Sequence, residues 1–197
     1  LPFHRNGFKF FTRDGGLEKG DIAEILGMAA SGDLPAPKNG GTCVDVDFTS
    51  RYKTQLVDYI RSGVKAADYN RPLAGMHIIV DAGNGSGGFF VDVLEELGAR
   101  TEGSQFTDPD GHFPNHIPNP EDKKAMASVC GAVVNSRADL GIIFDTDVDR
   151  SAIVLRNGEP VNRNALIALI AAVVLKEHPG STVVTDSVTS DGLADFI

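Results

Sequence analysis

His77-Ile78-Ile79-Val80-Asp81-Ala82-Gly83-Asn84-Gly85-Ser86-Gly87-Gly88 runs from a short apolar block into a glycine-rich turn, and residues 89–97 then read as a helix closed by Gly98. A short apolar run bounded by turn residues is the signature of a buried strand. Glycines after it permit a sharp strand-to-helix turn, since they alone adopt positive φ freely. Gly98 supplies the usual helix stop. The same grammar recurs downstream. A helix over about residues 120–137 leads into the strand Leu140-Gly141-Ile142-Ile143-Phe144, and a second apolar stretch, Ala152-Ile153-Val154-Leu155, follows closely. Beyond the turn Asn157-Gly158, an apolar helix over 164–177 stops before Pro179-Gly180, and Thr182-Val183-Val184-Thr185 reads as a last strand. Strands alternating with helices predict an α/β fold with a mixed, largely parallel sheet.

Working toward the N-terminus, residues 48–67 form a helix presenting Tyr52, Leu56, Tyr59 and Ile60 on one side. The stretch Pro35-Ala36-Pro37-Lys38-Asn39-Gly40-Gly41 is the best linker candidate. Ahead of it, Phe8-Lys9-Phe10-Phe11 reads as a strand, followed by a glycine turn and a helix from about Lys19 with Ile22, Ile25 and Leu26 at helical spacing. The chain starts at Leu1 without a Met and stops at Ile197 inside what reads as a helix, so the expectation is an internal piece of a longer protein.

At 197 residues and 42% hydrophobic content, the chain holds one large or two small packed domains. Its formal net charge of −9, with no basic block, argues against a nucleic-acid partner. An anionic ligand would need a local cluster of cations. Cys43 and Cys130 are the only cysteines, which fits a reducing compartment and suggests a cytoplasmic protein. A plastid stays compatible, because any leader would precede Leu1. The longest apolar segment, residues 165–175, is far too short to span a bilayer and is expected as a buried helix, so no membrane partner is expected. Asn84-Gly85-Ser86 matches a glycosylation acceptor, but nothing else points to secretion.

The chemistry concentrates in Asp145-Thr146-Asp147-Val148-Asp149-Arg150, which puts three carboxylates and a guanidinium into six residues. Carboxylates that close repel one another unless a positive charge lies between them. A hard divalent cation with oxygen ligands is the simplest answer. Arg150 adds a planar donor fork suited to a phosphate beside that cation. The bland alternative is a solvated acidic turn. An EF-hand fails, because Arg150 stands where the loop needs Gly and Arg156 where it needs Glu. A haloacid-dehalogenase-type phosphatase begins Asp-x-Asp-x-Thr/Val after a buried strand; here the fifth position is Asp149, a near match that keeps this reading open. Gly83-Asn84-Gly85-Ser86-Gly87-Gly88 also fits G-x-G-x-x-G, with Glu102 at the end of the next expected strand, which permits a dinucleotide-binding oxidoreductase domain. That reading leaves the aspartate run unexplained.

Together these segments resemble the α-D-phosphohexomutases, the phosphoglucomutase and phosphomannomutase family. Asn6-Gly7-Phe8-Lys9 is similar to the tail of the family's active-site serine segment, Ser-His followed some residues later by Asn-Gly-Phe-Lys. Asp81-Ala82-Gly83-Asn84-Gly85-Ser86-Gly87 resembles the turn opening the second domain, and Asp145–Arg150 its metal loop, usually Asp-Gly-Asp-x-Asp-Arg. Pro109-Asp110-Gly111-His112-Phe113-Pro114-Asn115-His116, continuing to Pro118-Asn119-Pro120-Glu121, is similar to another stretch of that domain. Thr146 departs from the usual Gly, which is tolerable if its φ is negative. Leu1-Pro2-Phe3-His4-Arg5 departs from a more familiar Asn-Pro-Pro-x-Tyr.

The resemblance implies three parts: residues 1–40 as the end of domain I, 41–157 as domain II with the metal loop, and 158–197 as the start of domain III. It implies a phosphohexomutase interconverting hexose 1-phosphate and hexose 6-phosphate, with glucose or mannose as the sugar. The phosphoryl group would pass through a phosphoserine and a hexose 1,6-bisphosphate. The Ser-His pair is expected just before Leu1, so this chain alone is expected to be inactive. Asp145, Asp147 and Asp149 would hold Mg²⁺, and Arg150 would contact phosphate. Lys9 would act as general acid or base, and Arg5 would join the cationic lining. His112 and His116 are at i, i+4 spacing, but Pro114 argues against a helix, and both read as loop structure. The remaining domains of the parent chain and a sugar phosphate are the expected partners.

Overall fold

The computed structural model describes residues 4–32, 34, 36, 40–187 and 189–197. It divides into two compact units, residues 1–47 and 48–197. Much of the linker candidate, Pro35, Pro37, Lys38 and Asn39, lies outside the described residues, as do Leu1, Pro2 and Phe3.

In the first unit, β1 (Phe11–Thr12) pairs antiparallel with β2 (Gly15–Gly16), Phe11 opposite Gly16. The strand expected over 8–11 is therefore shifted and short. A ladder extends only as far as its partner, and here the chain turns at Arg13-Asp14 after two residues. Helix α1 (Lys19–Ser31) starts where expected: the Asp21 carboxylate accepts from the Glu18 N–H at 3.0 Å, and Gly32 ends the helix at φ 69°. Ile22 and Ile25 are half-buried and Leu26 is exposed.

The second unit is a three-stranded sheet with helices on both faces. β3 (Ile78–Asp81) runs parallel to β4 (Leu140–Phe144), which pairs antiparallel with β5 (Ser151–Leu155). The sheet is thus mixed. Side chains alternate between its faces as the pleat requires. Ile79 and Ile143 point to one face, where Ala125, Val129 and Val133 of α4 (Lys123–Ser136) meet them. Ile78, Val80 and Phe144 point to the other, against Leu94 of α3 (Phe90–Glu96), which continues a 3-10 turn at Ser86–Phe89. Helix α2 (Phe48–Val64) packs outside α3 through Val57, which meets Val93 and Leu97. Each such side chain contributes about 1.5–3 kcal/mol by burial.

Several expectations change. Helix α2 stops at Val64, with Lys65 at φ 51°, and buries Leu56, Val57 and Ile60 rather than Tyr59, which lies on the solvent side. The strand expected before Glu102 reduces to two isolated parallel bridges, His77 with Arg100 and Asp81 with Gln105. A turn between them, closed by Ser104 N–H to the Thr101 carbonyl at 3.0 Å, breaks the ladder; the Ser104 hydroxyl accepts from the Val80 N–H instead. Residues 182–185 form no strand, since no described segment pairs with them. Helix α5 (Arg163–Glu177) is present but not buried: Leu169, Ile170, Val173 and Val174 are exposed, and only Ala171 is buried. Its apolar residues surround the whole helix, and the short α6 (Gly192–Phe196) cannot cover them all. No helix among the described residues is long and apolar enough to cross a membrane.

Candidate metal centre

Strands β4 and β5 are neighbours in one antiparallel ladder, Phe144 opposite Ser151, so residues 145–150 must reverse the chain within a tight loop at the sheet edge. The loop is closed by the Asp145 N–H donating to the Arg150 carbonyl at 3.1 Å. It is also pinned from outside: the Ser86 N–H donates to the Thr146 carbonyl at 2.9 Å, and a Cβ on Gly85 would sit 2.8 Å from that same oxygen. Gly85 is therefore required by the close approach of the aspartate loop. A Cβ on Gly88 would fall 1.9 Å from the Thr107 carbonyl oxygen. Thr146 is not among the residues with positive φ; the left-handed residue is Val148, at φ 67°.

The loop turns its three acids together. Asp145, Asp147 and Asp149 each offer a carboxylate oxygen, and these oxygens lie within 4.8 Å of one another, Asp145 buried and the other two exposed. An octahedral Mg²⁺ bound at about 2.0–2.1 Å sets its ligand oxygens about 3–4.2 Å apart, so a small inward rotation would suffice. The donor set is all oxygen and anionic, which suits a hard cation. The residues present fit such an ion.

Arg150 is the counter-charge already built in. Its backbone N–H donates to Asp145 Oδ1 and its Nε to Asp145 Oδ2, both at 3.0 Å. Nη1 reaches Asn119 Oδ1 at 3.3 Å, and Asp149 stands 3.6 Å from Nε. Burial pushes the Asp145 carboxyl up, but the Arg150 N–H and guanidinium, together with Asp149, hold it below its ordinary range. Asp149 is raised, because it shares a hydrogen bond with Asp145 and faces the charges of Asp145 and Asp147. Arg150 is raised by its bond to Asp145 and stays protonated.

Of the other expected site residues, Arg5 and Lys9 lie in the first unit and are exposed. His112 is exposed and sits 2.9 Å from Asp110 Oδ1. His116, by contrast, anchors its loop. It is buried, with Nε2 3.1 Å from both oxygens of Asp81 and Nδ1 3.0 Å from the Ile117 carbonyl. Asp81 itself is fully buried and also accepts from Gln105 Nε2 at 2.7 Å and the Gly83 N–H at 2.9 Å. Nothing local in the sequence announces this network, since His116 and Asp81 are 35 positions apart. The Asn84 side chain is engaged too, donating to the Asp108 carbonyl at 2.9 Å and accepting from Asn115 at 2.8 Å.

A family model described as phosphoglucomutase/phosphomannomutase, alpha/beta/alpha domain II, matches residues 55–158. A phosphoglucomutase from Neisseria meningitidis serogroup A is 31% identical over 196 residues, covering 100% of this chain and 40% of that protein. A phosphomannomutase/phosphoglucomutase from Pseudomonas syringae pv. tomato is 31% identical over 94% of this chain and 37% of its own length. Among solved structures, a phosphoglucomutase/phosphomannomutase family protein from Burkholderia thailandensis is similar with a TM-score of 0.74 at 25% identity, over 91% of this chain and 37% of that one. The chain thus spans about 40% of the length of the curated relatives it matches.

Proposed function

Because the chain belongs to the phosphoglucomutase/phosphomannomutase family, we propose that it carries the metal-loop portion of a hexose-phosphate mutase, an intramolecular phosphotransferase of carbohydrate metabolism. The observation that carries the reading is the convergence of Asp145, Asp147 and Asp149 with Arg150 hydrogen-bonded to the buried member. Residues 41–157 would form domain II, flanked by the end of domain I and the start of domain III.

Asp145, Asp147 and Asp149 would hold Mg²⁺, which when bound would neutralise charge on a transferring phosphoryl group. The chain's own residues supply positioning and charge, which is most of what phosphoryl transfer asks of a protein. Asp145 is fixed by two donors from Arg150, so its carboxylate is held in one orientation. Arg150 would bind a phosphate oxygen through the outer edge of its guanidinium, the inner edge being spent on Asp145. Lys9 would move the proton of the reacting sugar hydroxyl, and Arg5 would add positive charge to the phosphate's surroundings. The phosphoryl carrier would be the serine of the family's Ser-His segment, a pair absent from these 197 residues. Hexose 1,6-bisphosphate would be the intermediate, with glucose or mannose phosphates as substrates. Asp145 suits a ligand better than a nucleophile, because both of its oxygens already accept hydrogen bonds from Arg150.

Tandem mass spectrometry of the parent polypeptide, read on the peptide ending at Lys9, tests the proposal. A phosphorylated serine in a Ser-His pair ahead of Leu1 is the expected result. Absence of any serine there would overturn the mutase reading.

A further inference from the structure

The segment 108–121 supplies none of the groups given a chemical role in the proposal above, yet it is anchored at several points. Its buried His116 holds Asp81 at the end of β3, and Pro118 lies against Gly83, where an added Cβ would come within 2.8 Å of the Pro118 ring. Lys124 Nζ ties back to the Asn115 carbonyl at 3.2 Å. Asn119 sits between these anchors and the start of α4. Its carbonyl accepts from the Asp122 N–H at 2.9 Å, its N–H donates to the Ile117 carbonyl at 2.8 Å, and its Oδ1 accepts from the Glu121 N–H at 3.0 Å. The side-chain oxygen is thereby fixed in place, and it is the atom that Arg150 Nη1 reaches at 3.3 Å.

We infer that Asn119 is a positioning residue for Arg150: it fixes the guanidinium plane so that Nη2 and the outer edge present themselves to a phosphate. Two contacts define a plane. Nε on Asp145 leaves the group free to pivot about that bond, and Nη1 on Asn119 removes the pivot. The remaining donor, Nη2, has no hydrogen-bond partner among the described residues, and the Arg150 side chain is 55% exposed, so a ligand can reach it. A guanidinium is worth most to a phosphate when its fork is pre-aligned. Without Asn119 a competing acceptor is Asp149, 3.6 Å from Nε, and a swing toward it would turn the fork onto a proposed metal ligand. The phosphate role of Arg150 rests on the proposed function; the fixing of its plane does not.

The two are separated by arginine side-chain NMR on this chain, with the Arg150 signals assigned through Arg150→Lys. Without ligand, Arg150 Nη rotation should be slow in the unsubstituted chain and faster in Asn119→Ala. It should slow again in Asn119→Asp, which keeps an acceptor at that place. Equal rotation in all three overturns the inference. Inorganic phosphate with Mg²⁺ is then titrated against the same signals. Asn119→Ala should bind phosphate about threefold to tenfold more weakly, with Asn119→Asp close to the unsubstituted chain in plane fixation. If rotation responds but phosphate never perturbs Arg150 in the unsubstituted chain, the phosphate half of the inference falls and the fixation stands. Backbone amide spectra verify folding; if the alanine variant unfolds, Asn119→Ser takes its place, since its shorter hydroxyl can still accept from the Glu121 N–H but draws back from Arg150 Nη1, and rotation there as slow as in the unsubstituted chain overturns the inference.

Discussion

Replacing His116 by alanine should cost this fold about 3–4 kcal/mol. The imidazole is buried and contacts Asp81, the Ile117 carbonyl and, edge-on at 5.2 Å, the ring of Phe106. Truncating a large buried side chain typically costs about 2–5 kcal/mol through lost transfer energy and the cavity left behind. Depriving a buried carboxylate of one donor adds about 1–3 kcal/mol. The upper sum is not reached, because Asp81 keeps Gln105 Nε2 and the Gly83 N–H. A slope of about 2 kcal/mol per molar urea converts the loss into a midpoint shift of about 1.5–2 M. Urea unfolding followed by circular dichroism would read it. Asp81→Asn alone and the double variant complete a cycle, in which the two losses should fall short of additive by about 1 kcal/mol or more. A His116→Ala cost below about 1 kcal/mol, or strict additivity, would refute the claim that this pair anchors the loop.

Asp147→Ala should weaken Mg²⁺ or Mn²⁺ binding at least about tenfold, by isothermal titration, while leaving the metal-free chain no less stable, since an exposed like charge facing Asp149 is removed. Equal titrations for the two chains would count against the metal reading. Gly88→Ala should destabilise by about 1–3 kcal/mol or more, because its Cβ meets the rigid Thr107 carbonyl; a neutral melting temperature would contradict this. Asp139 is held low by the His77 backbone N–H and by the Arg156 guanidinium. Its stabilising contribution should therefore be present above its unfolded value, near 3.8, and vanish as pH falls through the lower folded value. The stability gap between the unsubstituted chain and Asp139→Asn should narrow in acid titrations of thermal stability, and a gap that widened there would reverse the sign of the argument.

What could be read from the sequence was whatever a local window encodes. Strand β4, helix α4 and the aspartate loop lie in one continuous stretch, so periodicity and residue type announce them. The chain reversal at residues 145–150 follows from two apolar runs, 140–144 and 152–155, separated by a short stretch in which Val148 is the one apolar residue. Contacts over long separations left no such trace. Asp81 with His116 and Asn119 with Arg150 are 35 and 31 positions apart, and each member looks like an ordinary turn residue alone. The residues at 182–185 misled for the opposite reason. Their β-branched pattern is sound, but a strand exists only through its ladder, and no described segment supplies one. The edge at residues 100–105 fails similarly, its ladder broken by the Thr101–Ser104 turn.

The aspartate loop combines a left-handed β-branched residue with clustered carboxylates, and both features favour a ligand over a solvated turn. Val148 holds φ at 67° although it is β-branched, a conformation that costs about 1–3 kcal/mol unless the surroundings impose it. Its half-buried side chain packs against the core cluster to which Phe144 belongs, so the core holds the residue while its neighbours Asp147 and Asp149 stay exposed. Three carboxylates against one guanidinium leave the loop with two uncompensated negative charges, and the raised Asp149 registers that excess. A solvated acidic turn would relax by splaying its side chains apart. Here the buried Asp145, clamped by Arg150, and the left-handed Val148 keep the acids facing one another. A divalent cation would cancel the excess and would leave Arg150 to meet an incoming anion on a chain whose formal net charge is −9.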